Sequence, residues 1–364
     1  MDGVSDPLHT AFCELVGVQY PIVQTGMGWV SGARLTAATS EAGGLGILAA
    51  ATMTLEELKG AIHRVRARTD KPFGVNMRPD REDFAQRIDL LIQEQVPVAS
   101  FARAPGPQAI GQLKEKGIVT LPTVGARRHA EKVTDWGVDA IIAQGGEGGG
   151  HTGPVATTLL LPDVCAATPL PVLGAGGFHS GQGLVAALAY GAAGIAMGTR
   201  FLLTQESRVP ETVKQRYLAA SVKDTVVSVA VDGAPQRVLQ TELVKTLETA
   251  SPWARLWSSL QAGLSLKAQT GATLLGMLRE ARGLKAHGEL SWAQLVMAAN
   301  APMLTKAALV DGRLDAGVLP TGQVVGVIDH LPSVAEVIDQ IMAEARATLA
   351  ALGGPTPPPS ADLS

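Results

Sequence analysis

Aromatic side chains are scarce in this chain, at 4% of 364 residues. A core of this size must therefore be built from aliphatic side chains, and a hydrophobic content of 46% supplies them. Cysteine is rarer still. Cys13 and Cys165 are the two present, too few for a disulfide-stapled scaffold. Neither lies in a CxxC pair or at metal-ligand spacing from a histidine, so both read as buried, reduced thiols. No HExxH helix or Cys/His cluster points to a metal, and no metal is expected. Charge of one sign is not concentrated anywhere: 30 basic against 33 acidic residues give a net charge of −3. Nucleic acid is excluded as a main partner, because neutralising phosphates needs clustered Lys and Arg. No apolar run reaches the ~18–20 residues that span a bilayer. The opening MDGVSDPLHTAFCEL lacks a basic-then-apolar signal. A soluble cytoplasmic protein with no membrane partner is the expectation. No GxSxG elbow supports a serine hydrolase, and no GxGxxG follows the first strand-like run, which counts against a dinucleotide-binding fold.

Glycine, by contrast, is abundant, at 41 residues. Through the first 200 residues one pattern repeats: a short apolar run, a Gly-rich or polar turn, then an amphipathic stretch. The runs are 21–24, 44–48, 73–76, 96–100, 118–121, 140–144, 171–174 and 194–198. Each is too short for a helix and too apolar throughout to have one wet face, as expected of parallel strands covered by helices on both sides. Helices are predicted over 54–68, with Thr54 and Glu57 in a capping box, and over 81–94, 107–116 and 126–136. Eight β/α units in succession favour a (β/α)8 TIM barrel over an open doubly wound sheet. The expected organisation is a barrel over 1–205, a mostly helical lobe over 206–310, a segment over 311–352 that packs back on the barrel, and a disordered Pro/Ser-rich tail over 353–364. Within the lobe, residues 225–232 read as extended, and 241–248, 253–264, 272–284 and 291–299 as helices.

Active sites of such barrels sit at the C-terminal ends of the strands. After run one comes Gln24-Thr25-Gly26-Met27-Gly28; after run three, Asn76. Run seven leads into Gly174-Ala175-Gly176-Gly177 and run eight into Gly198-Thr199, each followed by a helix. Paired glycine turns on the last two strands suit a phosphorylated cofactor, held by backbone N–H groups. The segment 144–153 is the richest. Here Gln144, Glu147, Gly149, Gly150 and His151 lie among six glycines, a composition that lets a flat ligand lie against backbone. His151 reads as the lone titratable group of an uncharged site. An unperturbed imidazole titrates near neutrality and can exchange a carbon-bound proton. Glu147 reads as either a hydroxyl-binding or a solvent-facing residue. Of the other histidines, only His179 lies beside these turns.

These motifs, in order over residues 15–205, resemble the nitronate monooxygenase (2-nitropropane dioxygenase-like) family of FMN-dependent barrels. The stretches VQTGMGWVSGARL, QGGEGGGHTGPVATTLLLP and WAQLVMAANAPMLTKAALVDG extend the likeness to the IpdC-type branch, which acts on CoA esters in steroid C/D-ring degradation. The resemblance implies bound FMN, with Gly26 and Met27 beside its ring, Asn76 and Gln144 hydrogen-bonding it, Gly176, Gly177, Gly198 and Thr199 on its phosphate, and His151 as acid/base. The implied partner is a small molecule, an acyl-CoA or a nitronate, and a homodimer is an open assembly. Three reactions follow: desaturation (or its reverse) of a polycyclic acyl-CoA, oxidation of alkyl nitronates by O2, and NAD(P)H-driven reduction of an enoyl thioester. A flavin-binding protein without activity is the non-enzyme reading. Trp253, Trp257 and Trp292 read either as lobe core or as a cover for a bulky apolar substrate.

Overall fold

The computed structural model describes residues 6–249 and 292–353. The predicted helices over 253–264 and 272–284, Trp253, Trp257, the Trp292 side chain and the tail beyond 353 lie outside that description.

Eight parallel strands close a barrel: β1 (Ile22–Gln24), β2 (Leu45–Ala49), β3 (Phe73–Met77), β4 (Val98–Phe101), β5 (Val119–Val124), β6 (Ile141–Gln144), β8 (Val172–Ala175) and β9 (Gly194–Met197). β9 returns to β1 in register Ile22↔Ile195. β7 (Gly150–His151) lies outside the barrel. The strands are almost wholly buried, which is why they read as continuous apolar runs. Val23, Ile47, Val98, Leu121, Ile142 and Leu173 fill the interior, and the short helix Ala11–Val16 plugs its N-terminal end with Phe12, Cys13 and Val16. Thr10 fastens this plug by donating its hydroxyl to Ala193 O at 2.6 Å.

The helices follow the sequence pattern, with end effects. Leu55–Arg66 starts on the expected capping box: Glu57 N donates to Thr54 Oγ1 at 3.2 Å and Thr54 N to Glu57 Oε2 at 2.7 Å. Phe84–Gln93 starts later than predicted. Arg81 and Asp83 form an ion pair ahead of it instead of a first turn. Asp83 also pairs with the fully buried Arg87, which donates in addition to Ala50 O and Met53 O. A buried guanidinium is tolerable only with its donors satisfied in this way.

Beyond the barrel the described residues combine helix with strand, the latter where residues 225–232 read as extended. The described part holds helices Glu211–Leu218, Glu242–Thr249 and Trp292–Leu309, but also an antiparallel hairpin of β10 (Thr225–Ser228) and β11 (Gln236–Leu239). The extended run ends at Ser228, because the chain then turns through Gly233 at φ +85°. The last helix, Val334–Gly353, lies on helix Gly181–Ala189. A Cβ on Gly181 would come within 2.3 Å of Ala345 N, so only glycine permits this approach. Glu344 Oε2 accepts from Gly181 N at 2.8 Å. Buried residues of this helix and of 308–328 share one continuous apolar cluster with the barrel's outer shell. No helix among the described residues is long and apolar enough to cross a membrane.

Candidate active site

The loop after β1 folds around buried Gln24. Its Nε2 donates to Ser31 Oγ at 2.9 Å and to Ile47 O at 3.2 Å, while Met27 N donates to the same Ser31 hydroxyl at 2.9 Å. This brings Gly26 hard against β3: a Cβ there would stand 2.3 Å from Asn76 Cβ. It also brings Met27 beside the end of β9, where a Cβ on Gly198 would lie 3.4 Å from Met27 Sδ. Gly26, Met27, Asn76 and Gly198 are therefore neighbours on one side of the barrel mouth. Asn76 Nδ2 donates to Ser100 Oγ at 3.2 Å.

The glycine segment after β6 crosses the mouth and is pinned along its length. Gly145 N donates to Ala175 O at 2.9 Å and Gly146 N to Val155 O at 2.7 Å. Arg237 clamps Gly146 O with Nε and Nη2, at 3.1 and 2.9 Å. Gly149 meets the chain where it recrosses the mouth: a Cβ there would lie 2.5 Å from Thr321 C and 2.6 Å from Gly322 N. Gly150 and His151 then form β7, paired antiparallel with β11 in register Gln236↔His151 and Arg237↔Gly150. Gly145, Gly146 and Gly149 thus bring the loop close against backbone, whereas Gly150 has open space at its Cβ position.

Glu147 takes neither role expected of it. Its carboxylate accepts from Thr157 N (3.1 and 2.9 Å) and from Thr157 Oγ1 (2.7 Å), at the start of helix Thr157–Cys165. A carboxylate is favourable on those N–H groups, and it ties the loop to the helix behind it.

His151 does not stand alone. Its Nε2 lies 2.6 Å from Asp232 Oδ2, in the turn joining β10 to β11. The imidazole is more than half exposed, whereas the carboxylate is 10% exposed. Burial alone would raise Asp232. The hydrogen bond and charge of His151, with Ala234 N and the Gln236 side chain, outweigh it and hold the carboxyl below its usual range. An ionised Asp232 accepts Nε2–H, which assigns the tautomer and leaves Nδ1 without a hydrogen-bond partner among the described residues. Gln144 Nε2 donates to His151 O at 2.8 Å and fixes the backbone beneath the ring.

The proposed phosphate residues meet at the ends of β8 and β9. Gly176 and Gly177 both have positive φ, +93° and +83°, a conformation that leaves backbone N–H groups facing one side. Among the described residues no backbone carbonyl accepts from N–H of Gly176, Gly177, Gly198 or Thr199. His179 Nδ1 is buried there without a partner among the described residues. A phosphate fits this set of donors. Thr199 Oγ1 accepts from Gly322 N at 2.9 Å and shares a hydrogen bond of 3.4 Å with Thr321 Oγ1. Ala175 is the buried last residue of β8. Gly174 faces the other way: a Cβ there would strike Leu161 and Phe178 at 2.7 and 2.8 Å, so its missing side chain serves helix packing.

Beside His151 opens a cleft of about 420 Å³, within the size range of small-molecule sites. It runs from Gln144 and His151 past the ends of β4 and β5 to helix Arg127–Asp135.

The sequence reading misses Asp232, Arg237, Thr321 and Gly322. The turn-forming Asp232-Gly233 between two apolar runs is the one local signal for any of them, marking a hairpin.

Fold and site together define an oxidoreductase barrel, and the chain belongs to the nitronate monooxygenase family, whose model matches residues 9–86 and 80–344. Among curated proteins it is 57% identical over 346 residues to the (3aS,4S,5R,7aS)-5-hydroxy-7a-methyl-1-oxo-octahydro-1H-indene-4-carboxyl-CoA dehydrogenase of Rhodococcus jostii, covering 95% of this chain and 98% of that one. It is 56% identical to the protein of the same name in Mycobacterium tuberculosis, over 93% of this chain and 96% of the other. Among solved structures, FabK from Thermotoga maritima superposes with a TM-score of 0.77 at 33% identity, over 94% of this chain and 98% of that one.

Proposed function

We propose that the chain is an FMN-dependent dehydrogenase of a polycyclic acyl-CoA, with His151 as its acid/base. The observation that carries this reading is the His151–Asp232 contact of 2.6 Å at the edge of the cleft. It is supported by near full-length similarity to dehydrogenases named for a fused-ring CoA thioester.

The glycine turns at Gly176–Gly177 and Gly198–Thr199, with His179, would hold the FMN phosphate. Gly26, Met27, Asn76, Gln144, Gly149 and Gly150 would line its ring. Bound there, FMN supplies a hydride acceptor and donor for carbon. The chain's own part is proton chemistry. The hydrogen α to a thioester is a carbon acid, and His151 Nδ1 is the nitrogen free to take it. Asp232 stabilises the imidazolium that results and keeps the ring from turning. Backbone pairing of β7 with β11 holds His151 at a fixed height above the mouth.

Asp232 is then a positioning residue. Asp232→Asn is expected to lower kcat about tenfold or more, a smaller loss than removal of the base itself, and to move the acidic limb of the pH–rate profile. The sign follows from the depressed carboxyl. The pair is intact above the ordinary carboxylate range and is lost only as pH falls through the lowered value of Asp232. An unchanged pH profile in the variant would remove Asp232 from this role.

The reading itself is tested by anaerobic mixing of the FMN-loaded enzyme with fused-ring CoA esters. Bleaching of the flavin absorbance near 450 nm, roughly the usual flavin maximum, is the expected result. If no such ester bleaches the flavin while a propionate nitronate turns over with oxygen uptake, the reaction is that of a nitronate monooxygenase instead. Rapid bleaching by NAD(P)H would point to enoyl-thioester reduction.

A further inference from the structure

The charged side chains lining the cleft beside His151, Arg103 and Lys132, are both cationic. Arg103 stands after β4, and His129 and Lys132 stand three residues apart on helix Arg127–Asp135; among the described residues no Asp or Glu joins the lining. This is a local departure from a chain that carries more acid than base. Arg127, on the same helix, is already neutralised by Glu131 and Asp163, at 2.9 and 3.1 Å. The positive field of the cleft therefore comes from the residues that face it. His129 registers that field: burial, then the charges of Arg128 and Lys132, push its imidazole below the usual value. Lys132 Nζ lies 5.2 Å from the centre of the Trp136 ring, so an aromatic face and a cation stand together at this end. Between that end and His151 the wall is small and apolar, with Ala104, Val124, Val133, Ala234 and Pro235.

We infer that this cleft receives the coenzyme A arm of the substrate. Lys132 and Arg103 take its phosphate charges with the His129 imidazole beside them as a hydrogen-bonding group, Trp136 offers a face to its purine, the apolar wall borders the pantetheine, and the thioester end is delivered to His151. The inference rests on the acyl-CoA reading above and adds where the CoA lies. The chemistry of the lining matches the parts of that arm: cations and an aromatic face for its charged nucleotide, small apolar side chains for its pantetheine, and His151 for its thioester. Anions are drawn to such a rim by charge, and the attraction weakens with salt. Exposed cations at such a rim each add modestly to phosphate affinity, so reversing both charges is expected to weaken binding about tenfold.

The test uses the FMN-loaded enzyme, the Lys132→Glu and Arg103→Glu variants and their combination. Both side chains are exposed, so the substitutions leave the packed core alone; thermal unfolding checks this. Calorimetric titration with free coenzyme A is expected to give a Kd about tenfold weaker in the double variant. The preference in kcat/KM for a CoA thioester over the N-acetylcysteamine thioester of the same acyl group is expected to fall at least as far. If CoA affinity and that preference are both unchanged in a folded double variant, the cleft does not hold the CoA arm, even though CoA esters are oxidised. If free CoA binds through these cations but no CoA ester bleaches the flavin, the cleft stands and the acyl-CoA dehydrogenase reading falls.

Discussion

Replacing His151 with alanine is expected to lower kcat on an acyl-CoA by about 10²–10⁴-fold, the usual span for losing a general acid/base, with FMN still bound at wild-type stoichiometry. The two halves of that outcome have separate structural grounds. The side chain of His151 pairs with Asp232 beside the cleft and, among the described residues, makes no hydrogen bond to Gly176, Gly177, Gly198 or Thr199. Its backbone, which pairs with β11 and accepts from Gln144, is retained in the variant. Steady-state kinetics combined with the visible flavin spectrum decides the matter. Loss of FMN together with activity would make His151 a cofactor-binding residue. Full activity with FMN bound would leave the chain without the base proposed for it.

The second large effect is expected at Gly149. An alanine Cβ there would meet the backbone of Thr321 and Gly322 at 2.5 and 2.6 Å, distances at which backbone, not a pliable side chain, must move. Overpacking of this kind costs about 1–3 kcal/mol, and the displacement falls directly on the loop that carries His151. Gly149→Ala is therefore expected to lower the denaturant midpoint and to reduce kcat. Gly150→Ala is the informative companion. Gly150 has φ +67° but nothing within 4 Å of its Cβ position, so the cost there is conformational, about 1–2 kcal/mol, with no clash against 321–322. Urea unfolding of both variants checks the distinction. A Gly149 variant as stable and active as wild type would mean that the recrossing strand does not hold the loop.

The barrel was legible in the sequence because a parallel strand buried on both faces has no choice of composition. Val98–Phe101 and Ile141–Gln144 are apolar run and strand at once. Helix starts were legible where a local device marks them, as Thr54 and Glu57 do. The start at Phe84 was not, because Asp83 is shared between Arg81 and Arg87, and it is the fold that buries Arg87 against Ala50 O and Met53 O. Around the site, the glycine turns and His151 stood out as local patterns. Their partners did not. Asp232 lies 81 residues from His151 along the chain, and nothing in residues 320–323 distinguishes Gly322, which donates to Thr199, from any surface-turn glycine. Glu147 was misjudged for the same reason. Its role depends on Thr157, reached only after the loop has folded back on itself. Glycine content signalled freedom, whereas the fold uses it for close approach.

The hairpin of β10 and β11 sets an order in which the enzyme becomes competent. All eight barrel strands are complete by Met197, yet the residues that fix His151 arrive with β11 and with Gly322. Closing such distant contacts is slow relative to local ones, although the entropic cost rises only gently with the length of chain enclosed. During synthesis, the barrel's strands therefore emerge well before the segments that lock the histidine in place. A nascent or partly unfolded chain could present the glycine turns while His151 still lacks both its carboxylate and its strand partner. If His151 is the proposed base, proton transfer is reserved for the finished molecule, and a nick or local opening near residues 232–239 would silence it while leaving the strands of the barrel uncut.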